Sequence, residues 1–166
     1  MRSTCDEPLA YLITFHTYES WLPGDASGSV DAAHNVYGTP LLAPNTRRAA
    51  AASKRLRHPA IKLSAAARRA VEVAIRDVAG HRGWEILAVN VRTNHAHAVV
   101  CAAAVKPEKV LNDFKTWATR GLRACGVLSE NTKPWSRHGS TRYLWTERAV
   151  ENACRYVVEG QGAPRE

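Results

Sequence analysis

The sequence predicts an α+β fold in which an antiparallel sheet carries helices on both faces. Three observations lead to this prediction. Stretches rich in β-forming residues alternate with stretches in which apolar residues recur at helical spacing. Two of the β stretches are separated by only a short turn, and one helical stretch is left over at the end of the chain. The predicted order of elements is therefore β-α-β-β-α-β-α.

The first six of these elements match the ferredoxin-like split βαβ arrangement. In that arrangement two crossover helices cover one face of the sheet, and the other face stays open unless a further helix lies on it. The additional C-terminal helix is the element available to cover the open face. We therefore expect a single domain over residues 1–166, with a long irregular insertion at about residues 17–63.

Four stretches are predicted to be strands because they are rich in β-branched, aromatic and other apolar residues. They are residues 9–16, 84–91, 95–100 and 140–145. The second and third stretches are joined by Arg92, Thr93 and Asn94, a connection short enough to predict a hairpin. The insertion contains a predicted turn at Pro23-Gly24 and an Ala/Arg-rich short helix within residues 46–57. A loop of this length inside a compact domain is often functional.

Three helices are predicted from their capping residues and their apolar periodicity. Ser64 is the expected N-cap of a helix that runs to about residue 81. Pro107 suits the first position of a second helix that lasts to about residue 124. Thr146 is expected to cap the last helix, which runs to about residue 159 and has an apolar line of Ala149, Ala153 and Val157.

The composition is that of a globular protein, with 45% hydrophobic and 23% charged residues in a chain of 166. No apolar run approaches the ~18 residues of a membrane-spanning helix, and the first residues lack the apolar core of a signal peptide. The four cysteines form no C-x-x-C pair, which favours a reducing compartment: Cys5, Cys101, Cys125 and Cys154. A cytoplasmic location is therefore expected.

The net charge of +8 is concentrated in one part of the chain. Residues 45–82 contain ten Lys and Arg residues but only two acidic residues, Glu72 and Asp77, so this segment accounts for the whole excess. A local basic excess predicts a polyanionic partner, with nucleic acid ahead of a membrane surface. The alternative is the solvated face of a charged helix.

The third strand carries a potential metal site. His95 and His97 are two residues apart, so on a strand they share one face, roughly 7 Å apart. Ala96, Ala98 and Val100 then point toward a core. Neutral imidazole is the commonest metal ligand in proteins, and two on one face make half a coordination sphere. The alternative is two polar residues on an open sheet face.

The last helix offers a nucleophile, because Tyr156 lies beside its apolar line. If that helix covers the open face of the sheet, the phenol is brought to the two histidines. The other interpretation is an aromatic residue at the edge of the core, with its hydroxyl in water.

With these features together, the chain resembles the HUH single-tyrosine transposases of bacterial insertion sequences, especially their REP-associated branch. The resemblance is carried by residues 14–25, His95-Ala96-His97, residues 112–115 and the helix of Tyr156. It implies a metal-dependent endonuclease and strand transferase that acts on single-stranded, hairpin-containing DNA through a 5′-phosphotyrosine. It also implies a homodimer. The alternative is a nucleic-acid-binding module on the same fold that does not cleave.

The resemblance further implies that His95 and His97 bind Mg²⁺ or Mn²⁺ together with a third ligand. In the family this ligand is a glutamine four residues after the tyrosine, whereas here that position is Gly160 and Gln161 follows it. In a continuous helix Gln161 would point about 140° away from Tyr156, unless Gly160 ends the helix. Glu159 is the competing ligand, and Gln161 is slightly favoured.

DNA contacts are expected from two further groups of residues. Lys115, Arg120 and Arg123 lie on the second predicted helix, and Arg137, His138 and Arg142 lie in a predicted basic, hydroxyl-rich loop. Trp135 or Trp145 is expected to stack on bases. The alternative is exposed charges and core tryptophans. A zinc site that adds Cys101 is disfavoured, because Cys101 would lie roughly 13 Å beyond His97 along the strand.

Overall fold

A four-stranded antiparallel sheet forms the centre of the computed structural model, which describes residues 7–18, 46–47, 50 and 60–160. Within 7–18 and 60–160 the strands are β1 (Ala10–Thr17), β2 (Glu85–Val91), β3 (His95–Cys101) and β4 (Trp135–Leu144). The helices of the same ranges are α1 (Ala65–Arg82), α2 (Pro107–Ala124) and α3 (Glu147–Glu159). The strand order is β2-β3-β1-β4, so each crossover helix joins two strands with a third strand between them. The predicted ferredoxin-like α+β fold is confirmed.

The helices begin where the sequence predicts. The Ser64 hydroxyl accepts a hydrogen bond from the amide of Ala67 (3.2 Å), and the Thr146 hydroxyl accepts one from the amide of Ala149 (3.1 Å). Each bond satisfies an amide that has no partner within its own helix. Gly83 ends α1 with a φ of 71°, in the left-handed region that glycine adopts without strain.

Alternation along the strands separates two buried clusters. Ile13 and Phe15 of β1 point, with Ala96, Ala98 and Val100 of β3, into the larger cluster against α1 and α2. On the other face, α3 packs over the sheet in a smaller cluster formed by Ala10, Ala88, Val99, Leu144, Ala153 and Val157. Full burial of a valine, leucine or phenylalanine side chain contributes about 1.5–3 kcal/mol. Because Ala153 and Val157 of α3 are buried in this cluster, the final helix covers the face that the fold leaves open, as predicted.

The fourth strand is longer than predicted and begins at Trp135 instead of residue 140. Residues 136–139, predicted as a loop, are part of an edge strand whose polar side chains give no apolar alternation. Gly139 explains the close packing here, because a Cβ at that position would lie 2.7 Å from the carbonyl oxygen of Thr14 and 3.0 Å from the methyl groups of Leu111. Between Phe15 and Thr17 the pairing of β1 with β4 changes register, which marks a bulge.

Several predictions lie outside the described residues. They are most of the insertion at 17–63 with its turn at Pro23-Gly24, the N-terminal Cys5, and Gln161. Of the predicted short helix within 46–57, the described residues Thr46, Arg47 and Ala50 are helical. In the part of the chain that is described, no helix has both the length and the apolar character needed to cross a bilayer.

Candidate active site

The two histidines of β3 lie on the sheet face that α3 covers. They share this face with Val99 and Cys101, while the intervening residues of the strand enter the larger core cluster. The ring centroids of His95 and His97 are 4.7 Å apart. His97 is buried, with 6% of its surface exposed, and His95 is half-buried. The predicted placement of both imidazoles on one face is confirmed.

Helix α3 brings Tyr156 to the same place. Ala153 and Val157 of the helix are buried against the sheet, and the side-chain amide of Asn90 on β2 donates a hydrogen bond to the carbonyl of Val157 (2.8 Å). The rings of Tyr156 and His97 then meet edge to face, with centroids 5.6 Å apart. Tyr156 remains 48% exposed, so its phenol is in contact with both a histidine and solvent.

Gly160 shapes the end of this helix. It is the C-cap of α3, and a Cβ there would lie 2.9 Å from Cδ2 of Tyr156 and 2.7 Å from the carbonyl oxygen of the same residue. Only glycine lets the Tyr156 ring lie this close to the end of the helix. Glu159, the last helical residue, is exposed. The choice between Glu159 and Gln161 as a metal ligand stays a prediction.

Two polar residues hold the imidazoles in place. Thr14 of β1 is paired with His97 in register, and its hydroxyl is hydrogen-bonded to Nδ1 of His97 (2.7 Å). Nδ1 of His95 lies 2.6 Å from Oδ1 of Asn94. Because an amide oxygen only accepts, this contact assigns the proton of neutral His95 to Nδ1 and its lone pair to Nε2. Such partners fix the tautomer and orientation of metal-binding histidines.

We expect Thr14→Val to weaken metal binding about 10- to 100-fold, because it removes the hydroxyl that orients His97 and keeps the side-chain shape. The fold should lose only about 1 kcal/mol, the net value of one hydrogen bond. Calorimetric titration with Mn²⁺ measures the first effect and thermal unfolding the second. Thr116→Val, at an exposed position of α2, is the matched control and should leave metal binding unchanged. Equal affinities in the two variants would contradict the role of Thr14.

A third histidine at the site was missed in the sequence. His16 of β1 is paired directly with His95, and the two ring centroids are 5.5 Å apart. Burial lowers the pKa of His16 to about 4, with smaller contributions from His95 and Lys115. The signal was present in the sequence, since Thr14 and His16 alternate with the core residues Ile13 and Phe15. In the split βαβ order this places them beside β3.

The donor set suits a divalent metal ion. His95 and His97 are close together, their Nδ1 atoms are engaged by polar partners, and a metal would bind Nε2. Among residues 7–18 and 60–160, however, no three His, Cys, Asp or Glu side chains are already grouped around a single point. A complete coordination sphere therefore needs a further donor.

Cys101 does not supply this donor. It lies on the same face of β3, with Val99 between it and His97, and it packs against the cluster under α3. Burial raises the pKa of its thiol, which opposes the thiolate form that binds metals. The structure agrees with the sequence in disfavouring a zinc site that uses this cysteine.

The cationic residues predicted on α2 lie in the helix layer on the opposite side of the sheet. The ammonium group of Lys115 donates hydrogen bonds to the carbonyls of Ser136 (2.9 Å) and His138 (3.1 Å), which holds the start of β4. Burial lowers the pKa of Lys115. Arg123 donates a hydrogen bond to the carbonyl of Glu130 (2.6 Å), and Arg120 is exposed. Their contacts with DNA stay predictions.

The other residues predicted to contact DNA, which follow α2 in the sequence, lie on β4. Arg137 and His138 are exposed in the segment where the pairing with β1 changes register. Arg142 is paired with Leu12, whose side chain packs against the cluster under α3, so Arg142 lies on the histidine face.

The two tryptophans predicted to stack on bases differ in exposure. Trp135 is buried against Phe15 and donates hydrogen bonds to the Lys115 carbonyl and the Thr119 hydroxyl, so of the two alternatives Trp135 is a core tryptophan. Trp145 is 53% exposed and stacks on Tyr143. Its contact with a base stays a prediction.

Comparisons with known proteins agree with the fold. No protein-family model matches the sequence, and no curated protein matches it significantly. Among solved structures, a putative transposase from Deinococcus radiodurans has a TM-score of 0.48 at 15% identity over 98% of each chain, a score that carries no argument. The REP-associated tyrosine transposase bound to a REP hairpin has a TM-score of 0.52 at 13% identity, over 95% of this chain and 68% of the other. At this identity the likeness shows the fold alone: the chain has the fold of that tyrosine transposase.

Proposed function

We propose that the protein is a metal-dependent single-stranded DNA endonuclease and strand transferase of the transposase type. The observation that carries the proposal is the contact of Tyr156 with His97, beside His95, within one chain. A phenol as nucleophile and two adjacent imidazoles that can hold a metal ion, at a site open to solvent, are the groups that attack on a phosphodiester needs. The shared fold supports the proposal, because the similar structure is that of a transposase bound to a DNA hairpin.

In this proposal His95 and His97 hold a divalent ion, Mg²⁺ or Mn²⁺. Such an ion, when bound, polarises the scissile phosphate and supplies positive charge near the nucleophile. The oxygen of Tyr156 forms a bond to phosphorus while the bond from phosphorus to the 3′ oxygen breaks. The tyrosine loses its phenolic proton and the departing 3′ oxygen gains a proton to become a 3′ hydroxyl, while the 5′ phosphate stays on the tyrosine. Attack by another 3′ hydroxyl reverses the step and joins strands.

One end of the sheet is basic and supports DNA binding near His95. The turn from β2 to β3 contains Arg92, and the exposed Lys62 adjoins this turn, because the amide of Leu63 donates a hydrogen bond to the carbonyl of Thr93 (2.6 Å). Arg137 and His138 lie across β1, in the segment opposite His16. Cations on both sides of the histidines attract a polyanion to this end.

Several acidic residues lie at the other end of the sheet, among them the exposed Glu108 and Glu147. Glu85 is paired with Cys101 at the far end of β3. Burial raises the pKa of the nearby Tyr11, with smaller contributions from Tyr143, Glu7 and Glu108. Glu147 and Glu151 line a pocket beside Cys101. Because carboxylates repel phosphates, we propose that the strand crosses the His95 end of the sheet and avoids the Cys101 end.

The test is formation of a covalent adduct. The full chain is incubated with a labelled DNA hairpin that carries a single-stranded 5′ tail of randomised sequence, with Mn²⁺ or Mg²⁺, and the products are separated on a denaturing gel. We expect a labelled protein band that needs the metal and disappears with a chelator. Binding in a native gel without any covalent product would replace the proposal with the non-cleaving nucleic-acid-binding module. The randomised tail prevents a negative result caused by one unsuitable target sequence.

The proposal has two further parts. The enzyme would act on cellular DNA in the cytoplasm, and two copies of the chain would form a homodimer. Light scattering at several protein concentrations tests the second part, because a dimer has twice the mass of the chain.

A further inference from the structure

We propose that His16 is the third nitrogen ligand of the metal site, and that this site selects a transition-metal ion such as Mn²⁺, Co²⁺ or Zn²⁺ over Mg²⁺. The inference rests on the proposed function in one respect: both require a divalent ion at His95 and His97. It differs from the expectation drawn from the sequence, in which Gln161 or Glu159 completes the site.

The register of the sheet places three imidazoles together. His95 and His97 follow each other on one face of β3, with centroids 4.7 Å apart. His16 lies directly across from His95 on β1, with centroids 5.5 Å apart. The three rings form an L, with two along one strand and one on its neighbour. Three histidines and an open position are the ligand set of a catalytic zinc site.

In this proposal a turn of the His16 ring completes the set. His95 and His97 are already oriented by Asn94 and Thr14. No three His, Cys, Asp or Glu side chains of the described residues are grouped around one point, so the proposal requires the ring of His16 to turn toward His95 and His97. A histidine side chain has several staggered χ1 positions and a broad χ2, so it can turn while β1 stays paired with β3.

The position of His16 makes it a better ligand than Glu159. β1 is a central strand, paired with β3 on one side and with β4 on the other. Glu159 is exposed and is the last residue of its helix. Ligands on well-packed elements keep their geometry, whereas helix ends fray. The rigid element therefore carries the third donor.

The choice of metal follows from the donor atoms. Mg²⁺ is a hard ion that prefers oxygen ligands and keeps its waters. Imidazole suits the later first-row ions, and affinity for a nitrogen site rises from Mn²⁺ to Co²⁺ and beyond. With three imidazoles the site favours Co²⁺ and Zn²⁺ over Mn²⁺, and Mn²⁺ over Mg²⁺. With a carboxylate from Glu159, Mg²⁺ would compete well.

Metal binding tests the inference without any measurement of cleavage. Tag-free protein is titrated with Co²⁺ and with Mg²⁺ by calorimetry, as wild type, as His16→Gln and as Glu159→Gln. We expect wild type to bind Co²⁺ at least about 100-fold more tightly than Mg²⁺, and His16→Gln to lose about 10- to 100-fold of the Co²⁺ affinity. Glu159→Gln should bind Co²⁺ like wild type. His81→Gln is the matched control, because His81 packs against Trp117 of α2 in the helix layer on the other face of the sheet.

A second measurement covers the case in which His16→Gln does not fold. Proton NMR of wild-type protein loaded with Co²⁺ shows one strongly shifted N–H signal for each coordinated imidazole that carries a proton. Three such signals support the inference and two overturn it, as does an unchanged Co²⁺ affinity in a folded His16→Gln protein. If three signals are found but no covalent DNA adduct forms, the proposed function fails and the three-histidine site stands.

Discussion

Tyr156→Phe should abolish the covalent protein–DNA adduct while leaving the protein folded and able to bind both metal and DNA. The substitution removes one oxygen, the atom that would form the bond to phosphorus. Loss of a nucleophile typically costs about 10⁴-fold or more in rate, which in a gel assay means no labelled protein. Because Tyr156 is 48% exposed, the stability change should stay within about 0.5 kcal/mol.

Tyr143→Phe is the matched control for this prediction. Tyr143 is also exposed, at 43%, but it lies on β4 in edge-to-face contact with Tyr11, whose side chain enters the core cluster on the opposite face of the sheet. The control should form as much adduct as wild type. An adduct that persists in Tyr156→Phe and disappears in Tyr143→Phe would show that the nucleophile is Tyr143 on β4 and not Tyr156 on α3.

His97→Ala should have the second-largest effect, a loss of cleavage greater than about 100-fold. That figure is the upper end of the loss seen when a residue that merely orients a metal ligand is replaced, and His97 would be a ligand itself. Its ring also contacts Tyr156 and is hydrogen-bonded to Thr14. The substitution therefore removes a donor, leaves the Thr14 hydroxyl without this partner and takes away the surface against which the phenol rests.

Single-turnover cleavage measured over a range of Mn²⁺ concentrations checks this prediction. If His97 were needed only for affinity, excess metal would restore the wild-type rate. We expect the rate to stay low at saturation, because the contact with Tyr156 is lost as well. His81→Ala, at a histidine in the helix layer away from the site, should cleave like wild type. A normal rate in His97→Ala would remove the metal site from the mechanism.

Much of the fold could be predicted from the sequence because its signals are local. The two-residue spacing of His95 and His97, the short connection before them and the capping residues Ser64 and Thr146 each act within one element. The split βαβ order then follows from the succession of elements and fixes which face Tyr156 can reach.

The missed features depend on pairing between distant residues. His16 and Thr14 join the site only through the register of β1 with β3, and a single sequence does not contain that register. The early start of β4 has the same cause, since residues 136–139 are held by β1 and by the ammonium group of Lys115 and show no alternation of their own. The burial of Trp135 depends on its contact with Phe15, a residue far away in the sequence, so the sequence around Trp135 does not show it.

The hydrogen bond from Asn90 to the carbonyl of Val157 bears on which sheet helix α3 packs against. A helix near the end of a chain can pack on its own sheet or on that of a neighbouring copy, and this bond ties α3 to β2 of the same chain. If both copies of the proposed homodimer keep this bond, each copy would carry its own imidazoles and phenol. Turnover per chain would then stay constant on dilution.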